Sequence, residues 1–466
     1  MKVAILGAGI AGLSTAHFIR REAARRSLPL ELLVYEAGAR AGGRIRTQED
    51  QGYRLEWAAN GIQGTDGAAS RLADSLGLKS EKVVARPDAA RRYILKRGRL
   101  HLLPVSPPAI LGFRALSARG KLRLAAEPFM ARRASKDESV HAFAARHIGE
   151  EAASTLVGTF VRGIFAGDAT KLSLDASFPL MREMERKHRS LVLAMMQGKR
   201  NPHSRTLWSL KSGMESLVRG LSAEVGPGLR LGAPALALAR LADGVRSKWQ
   251  IRFASGEEAQ ADAVVIASPS HAAAALLRSL EPEIARPLAA LPCAGLAVVG
   301  LGFRPEAFRR APDGYGFLVA PGDEPGVLGA LCETNLWPER APEGRILIRA
   351  MVGGVGAESV VTRSDAELVG LAMKALDRAW GLSGGPERSW VVRQMDAIPQ
   401  YPVGHRQALG TIAGRLDLWP GLYLTGSAYR GVSVASLIED AERIAARLTE
   451  RAAKAGCRAK ITRAGA

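Results

Sequence analysis

The stretch "KVAILGAGIAGLSTAHFIRREA", residues 2–23, constrains this chain more than any other. Its uninterrupted apolar start predicts a buried strand. A glycine turn and an amphipathic helix follow, with Gly7, Gly9 and Gly12 at the positions of G-x-G-x-x-G. In such a turn the first glycine permits the sharp reversal. The second lets backbone approach a pyrophosphate, and the third lets the helix pack on its strand. A second apolar run, "ELLVYE", ends in Glu36, and a carboxylate at that strand end can accept both hydroxyls of an adenosine ribose. Strand, turn, helix and strand in this order predict a dinucleotide site on an α/β unit.

Two further glycine segments qualify that site. Directly after Glu36 comes "AGARAGGRIRT", where Gly42 and Gly43 allow a second close backbone approach and Arg44 sets a cation beside the same pyrophosphate. NAD sites seldom add this. Near the other end, "YLTGSAYRGVSV" (423–434) runs apolar residues into Gly426, passes Gly431 and enters the helical pattern "SVASLIEDAERIAARL". That is again strand, glycine turn and helix start, the arrangement in which backbone N–H groups meet a ligand.

At 466 residues the chain is long enough for two or three domain-sized units. The longest uncharged run noted, 287–303, is short of a spanning helix and broken by Pro292, Gly295, Gly300 and Gly302. The opening has the composition of a strand and turn rather than of a secretory leader. Cys293, Cys332 and Cys457 are scattered and the eight histidines are dispersed, so the sequence predicts reduced thiols and no metal site. The net charge of +20 is concentrated. Residues 114–136 hold seven Lys/Arg against one Glu, 182–205 seven against two, and 443–463 seven against one, which leaves 17 of the 20 in three stretches. Leucines, phenylalanines and methionines interleave the first two. That pattern predicts contact with an anionic membrane surface rather than with nucleic acid.

The continuation "EAGARAGGRIRT" (36–47) resembles the flavin-binding opening of the amine oxidase and protoporphyrinogen oxidase superfamily, and "YLTGSAYRGVSV" resembles that superfamily's C-terminal element beneath the flavin. Three inner segments resemble protoporphyrinogen oxidases in particular: "VRGIFAGDATKLSLDASFPLMREME" (161–185), "GYGFLVAPGDEPGVLG" (314–329) and "IPQYPVGH" (398–405), the last as a strand leading back to the flavin domain. Together they span almost the whole chain. The family is identified as protoporphyrinogen oxidase, or its coproporphyrinogen-oxidising sister.

The resemblance implies a Rossmann-like FAD-binding domain assembled from 1–85, 205–290 and 395–450. It implies an α+β substrate domain from 86–104 and 291–394, a helical, membrane-associating insertion at 105–204, and a basic tail at 451–466. FAD, held non-covalently, is expected at Gly7, Ala8, Gly9, Ile10, Ala11, Gly12, Glu36, Ala37, Gly43, Arg44, Ala58, Ala59, Asn60, Gly61, Ala235, Gly426, Val432, Ser433 and Val434. Substrate contacts are expected at Arg92, Gly167, Tyr315 and Leu318, with Arg92 meeting a propionate through two N–H groups and Arg91 beside it able to share or replace it. Two positions depart from relatives: Arg406 stands where some have an aromatic, and "GSAY" replaces a more frequent G-N-x-Y.

The implied reaction takes hydride from a meso carbon of a porphyrinogen, with loss of an N–H proton, in three two-electron steps. O2 or a respiratory carrier accepts the electrons. The cofactor carries the hard step, and no acid–base residue is nominated. Localisation is expected in the cytoplasm, peripherally on the inner face of the membrane, and the resemblance leaves a homodimer open. The competing readings are a flavin amine oxidase, a carotenoid desaturase, and a basic membrane- or nucleic-acid-binding protein keeping FAD as a relic.

Overall fold

In the computed structural model, which describes residues 1–104, 106, 108–130, 134, 136–188, 190–197, 206–241 and 248–464, Lys2–Leu6 is the middle strand of a five-stranded sheet. The order across it is Leu229–Arg230, Glu31–Tyr35, Lys2–Leu6, Ala263–Ile266, Leu422–Leu424, all parallel. Three distant stretches of sequence therefore meet in one sheet. Parallel strands covered on both faces are apolar throughout, and here alternate residues serve different cores. Val3 and Ile5 pack with the helices Ile10–Arg25 and Val434–Ala464. Ala4 and Leu6 pack with Trp249 and Ile251 of an antiparallel three-stranded sheet, Ala235–Leu241, Lys248–Phe253 and Glu258–Ala261.

A seven-stranded sheet forms the second body. Its order is Arg388–Pro399, Cys293–Phe303, Ile346–Gly353, Val327–Cys332, Gly316–Val319, Arg92–Lys96, Arg99–Leu102. The helix Asp365–Trp380 covers one face, started by a capping box in which Ser364 and Glu367 satisfy each other's backbone N–H groups. The last long strand continues to Pro399, past the boundary expected at 394. The segment 398–405 is not a strand throughout: Pro399 ends it, and the helix His405–Leu416 begins six residues later.

Residues 118–197 are mainly helical where described, with Ala118–Ala125, Val140–Ile148, Thr159–Phe165, Pro179–Lys187 and Leu191–Gln197 as the longer elements and a turn with two β-bridges at 166–173. A π-helical segment, Ala153–Gly158, runs into Thr159–Phe165 and sets the register of its cavity-facing side. Polar groups pin this insertion from inside. His147, fully buried, sits between Glu127 at 2.9 Å and Glu185 at 3.1 Å. Arg182 bonds Asp175 at 2.6 Å and Glu138 at 3.2 Å, and also meets Glu185. Arg182, counted in the basic stretch expected to meet an anionic membrane, does not face it: Asp175, Glu185 and Glu138 neutralise it inside the insertion. In the first stretch Arg123 caps the carbonyls of Arg146 and His147, whereas Arg114 and Arg119 are exposed. Arg132, Arg133, Arg189, Lys199, Arg200 and Arg205, parts of the same charge stretches, lie outside the described residues, as do the side chains of Arg458, Lys460 and Arg463.

Candidate flavin and substrate site

A cavity of about 1110 Å³ runs between the parallel sheet, the seven-stranded sheet and the helical insertion. At one end stands the first glycine turn. Gly7 has φ +115°, and a Cβ there would lie 2.8 Å from the Ala267 carbonyl oxygen. A Cβ at Gly12 would lie 1.9 Å from the Gly7 oxygen, so this glycine seats the helix on the strand and does not line the cavity. Gly9 differs from both. Its backbone is extended (φ −71°, ψ 176°), and a Cβ would meet nothing within 4 Å. The protein has room for a side chain at Gly9, so the glycine is explained by what enters the cavity. Gly9 also starts the helix without any side-chain cap, which leaves N–H groups of the first turn to meet an anion.

Glu36, at the end of its strand, accepts the Ala8 N–H at 2.8 Å and the Gly38 N–H at 2.9 Å, one on each oxygen. A carboxylate offers about four lone-pair sites, so both oxygens keep capacity for hydroxyls from the cavity. Ala37, Gly42, Gly43 and Arg44 continue the wall. Arg44 donates to the Asp396 carbonyl, and burial lowers its pKa.

The C-terminal element closes the same end. Gly426 (φ +128°) and Gly431 (φ +127°) bound a loop that only glycine could turn at those points. The loop is held from outside the cavity. The Tyr401 hydroxyl donates to the Ser427 carbonyl and accepts the Gly431 N–H at 3.2 Å. His405 stacks on Tyr401 at 4.5 Å and its Nε2 lies 3.1 Å from the Ala428 oxygen. Thr425 donates to buried Asp440 at 2.7 Å. Gly426, Val432 and Val434 line the cavity, as does Ser427, one of the two departures. Ser433 does not; it caps the last helix by accepting the Ser436 N–H at 3.1 Å. Arg406, the other departure, is exposed and off the wall.

Of the remaining expected cofactor contacts, Ile10, Ala11, Ala58, Ala59, Asn60 and Ala235 line the cavity. Ala8 and Gly61 do not. A Cβ at Gly61 would lie 3.0 Å from Trp337 and from the Trp208 oxygen, so Gly61 serves packing.

Arg92, Tyr315 and Leu318 line the far end. Pairing of Arg92–Lys96 beside Gly316–Val319 sets the Arg92 guanidinium 5.0 Å from the Tyr315 ring. Arg91 is turned away and pairs with Asp313 at 3.0 Å. Gly167 is not on the wall: its Cβ position lies 2.3 Å from Gln400 Oε1, so it was selected by resemblance at a point where the structure needs close packing. Phe160 and Ile164 line the cavity while remaining 47% and 39% exposed, and so form its mouth.

Sequence reasoning missed a buried polar wall. Arg349 pairs with Glu333 at 2.7 Å, and Glu333 also accepts Asn60 Nδ2 at 3.1 Å. Glu56, behind them, pairs with Arg340 at 2.8 Å; burial raises its pKa against the pull of that guanidinium. A signal was present: Arg349 interrupts the apolar run "ILIRAMVG", and a buried arginine requires a carboxylate.

A parallel sheet with helices on one face and an antiparallel sheet on the other, joined by its first and last strand–turn–helix units to one cavity whose second end is roofed by another sheet, defines a flavoprotein oxidoreductase. The sequence profile described as "Flavin containing amine oxidoreductase" matches residues 10–449, and the chain belongs to that family. Its cofactor is FAD. Coproporphyrinogen III oxidase of Bacillus subtilis is 31% identical, over 94% of this chain and 95% of its own length. Protoporphyrinogen oxidase of Bos taurus is 30% identical over 96% and 98%. A solved structure from Exiguobacterium sp. 255-15 superposes with TM-score 0.83 at 24% identity, covering 96% of this chain and 98% of that one, which shows the shared fold.

Proposed function

We propose that the protein oxidises protoporphyrinogen IX to protoporphyrin IX in haem biosynthesis, removing six electrons in three steps and passing them to O2 with release of H2O2. Bound FAD supplies the hydride acceptor. The chain orients the macrocycle, excludes water and neutralises its carboxylates. No cysteine or histidine lines the cavity among the described residues, which supports non-covalent binding.

One observation carries the choice of substrate. Among the described residues three guanidiniums line the cavity, and two are already engaged: Arg44 with the Asp396 carbonyl and Arg349 with Glu333. Arg92 has no ion pair or side-chain hydrogen bond among the described residues. Arg92 is exposed at its end of the cavity, so a propionate there meets both a cation and water, while carboxylates further in would find only the apolar side chains of Ile94, Leu156, Phe317, Leu318 and Met351. A carboxylate buried without a partner is costly, so the wall suits two propionates and two vinyl groups better than four propionates. Comparing kcat/KM for the two porphyrinogens tests this. Preference for protoporphyrinogen is expected; preference for coproporphyrinogen overturns the choice, and turnover of polyamines instead of either would restore the amine oxidase reading.

The proposal includes a peripheral position on the cytoplasmic face of the membrane. Leu122 and Phe129 are 72% and 86% exposed, beside exposed Arg114 and Arg119, on the insertion that supplies Phe160 and Ile164 to the cavity mouth. Apolar side chains at the headgroup boundary and cations on anionic lipid reinforce each other. No described helix is long and apolar enough to cross a membrane.

A further inference from the structure

A porphyrinogen in this cavity would bring four pyrrole N–H donors and no acceptor at its centre. Donors buried without partners are costly, so the wall must supply acceptors. Thr159 and Tyr93, on that wall, donate to the Thr155 carbonyl and to Asp313, and each keeps a lone pair, although a hydroxyl oxygen is a weaker acceptor than an amide oxygen. Two amides are arranged differently. Asn60 Nδ2 donates to Glu333 Oε1 at 3.1 Å, and Gln394 Nε2 donates to the Trp57 carbonyl at 2.6 Å. An ionised carboxylate and a backbone carbonyl only accept hydrogen bonds. Each amide is therefore held nitrogen-inward, and neither amide oxygen has a donor among the described residues. Both residues line the cavity, Asn60 from the loop before the strand Ile62–Gln63 and Gln394 from the strand Arg388–Pro399.

Resting on the porphyrinogen reading above, we propose that Asn60 Oδ1 and Gln394 Oε1 accept the pyrrole N–H groups and set the tilt of the macrocycle, and that Glu333 is a positioning residue which fixes the Asn60 amide. Arg349 holds Glu333 in turn. A site built to accept an N–H discriminates strongly, because its own acceptors stay unpaired when the wrong ligand enters. As each hydride leaves a meso carbon, positive charge develops on the adjoining pyrrole nitrogen and its N–H becomes a stronger donor. The same two oxygens then hold that N–H more firmly; too weakly basic to take the proton themselves, they leave it to pass to solvent.

The test uses full-length holoenzyme whose FAD has been reduced with dithionite under argon, so that porphyrinogen binds without turnover and its Kd is measured by calorimetry. Asn60→Leu and Gln394→Met conserve volume and remove one acceptor each. Each should weaken porphyrinogen binding about tenfold. Tm should fall modestly, because Glu333 and the Trp57 carbonyl each lose a donor, and FAD content, measured in parallel, separates a substrate role from the flavin contact the sequence assigned to Asn60. Glu333→Gln removes the constraint on Asn60, so it should weaken binding in the native background and add nothing to Asn60→Leu. If Glu333→Gln does not fold, the two amide variants alone decide. Unchanged Kd in both, or loss of FAD with Kd for porphyrinogen preserved, overturns the proposal and assigns the amides to packing or to the flavin. Native enzyme that binds no porphyrinogen fails the parent reading instead.

Discussion

Replacing Arg92 by alanine isolates the substrate end from the flavin end. Arg92 contributes no ion pair to the fold among the described residues and lies over Tyr315 at 5.0 Å, so its removal leaves no buried charge without a partner. A hydrogen bond between charged groups is worth roughly 1.5–3 kcal/mol, which corresponds to a loss in kcat/KM of about tenfold to a hundredfold. Because the contact holds the ground state as firmly as the transition state, most of the loss should appear in KM. Arg91 cannot take over freely while Asp313 holds it at 3.0 Å. Adding Asp313→Asn releases Arg91 and should recover part of the loss, whereas Asp313→Asn alone should leave kcat/KM near the native value. Steady-state assays following Soret absorbance, with FAD content measured in parallel, check all three variants. An unchanged kcat/KM in Arg92→Ala, or a fall matched by loss of FAD, would refute the role given to Arg92.

Other perturbations address separate parts of the account. Gly9→Leu should fold, since the backbone and its surroundings accept a side chain, and should lose FAD because the side chain occupies the pyrophosphate space; stoichiometric flavin in the purified variant contradicts this. His405 is buried, and desolvation lowers its pKa against the opposing hydrogen bond to Ala428. A folded-state pKa below the ordinary 6.5 favours the neutral ring, so its stabilising share is complete above pH 6.5 and declines as pH falls below it. Since His405 holds the flavin loop, FAD retention should weaken over the same range, and His405→Phe should flatten that pH dependence in a fluorescence release assay. The native protein should pellet with anionic liposomes at low salt and less with neutral ones; Arg114→Glu with Arg119→Glu should reduce pelleting without loss of flavin, and recovery independent of lipid charge would count against the membrane surface.

The legible parts of the chain were those in which local sequence and tertiary role coincide. Lys2–Leu6 and Glu31–Tyr35 read as buried strands because parallel strands need apolar residues on both faces, and the turn at Gly7 to Gly12 carries its reason within six residues. The hairpin at 314–329 was legible by likeness. What stayed hidden depends on partners far along the chain. Arg182 counted towards a basic surface stretch because net charge per segment does not show that Glu185, three residues on, Asp175, seven before, and remote Glu138 enclose it. The resemblance chose Arg92 but left Arg91 able to share or replace it, until the structure set Arg91 on Asp313 and Arg92 at the cavity. Gly167 resembled a substrate contact, yet its reason is Gln400, more than two hundred residues later. The wall of Asn60, Glu333, Arg349 and Gln394 is drawn from four elements, and periodicity marks none of its members except the arginine inside an apolar strand.

The central claim is that one cavity brings FAD and a porphyrinogen together. Anaerobic stopped-flow mixing of oxidised holoenzyme with protoporphyrinogen IX, coproporphyrinogen III or a polyamine tests it directly, by following flavin absorbance near 450 nm. The account predicts rapid bleaching with porphyrinogen, fastest with protoporphyrinogen, none with polyamine, and recovery of the yellow colour when O2 is admitted. Flavin that stays oxidised with both porphyrinogens, or bleaches with the polyamine alone, would contradict it.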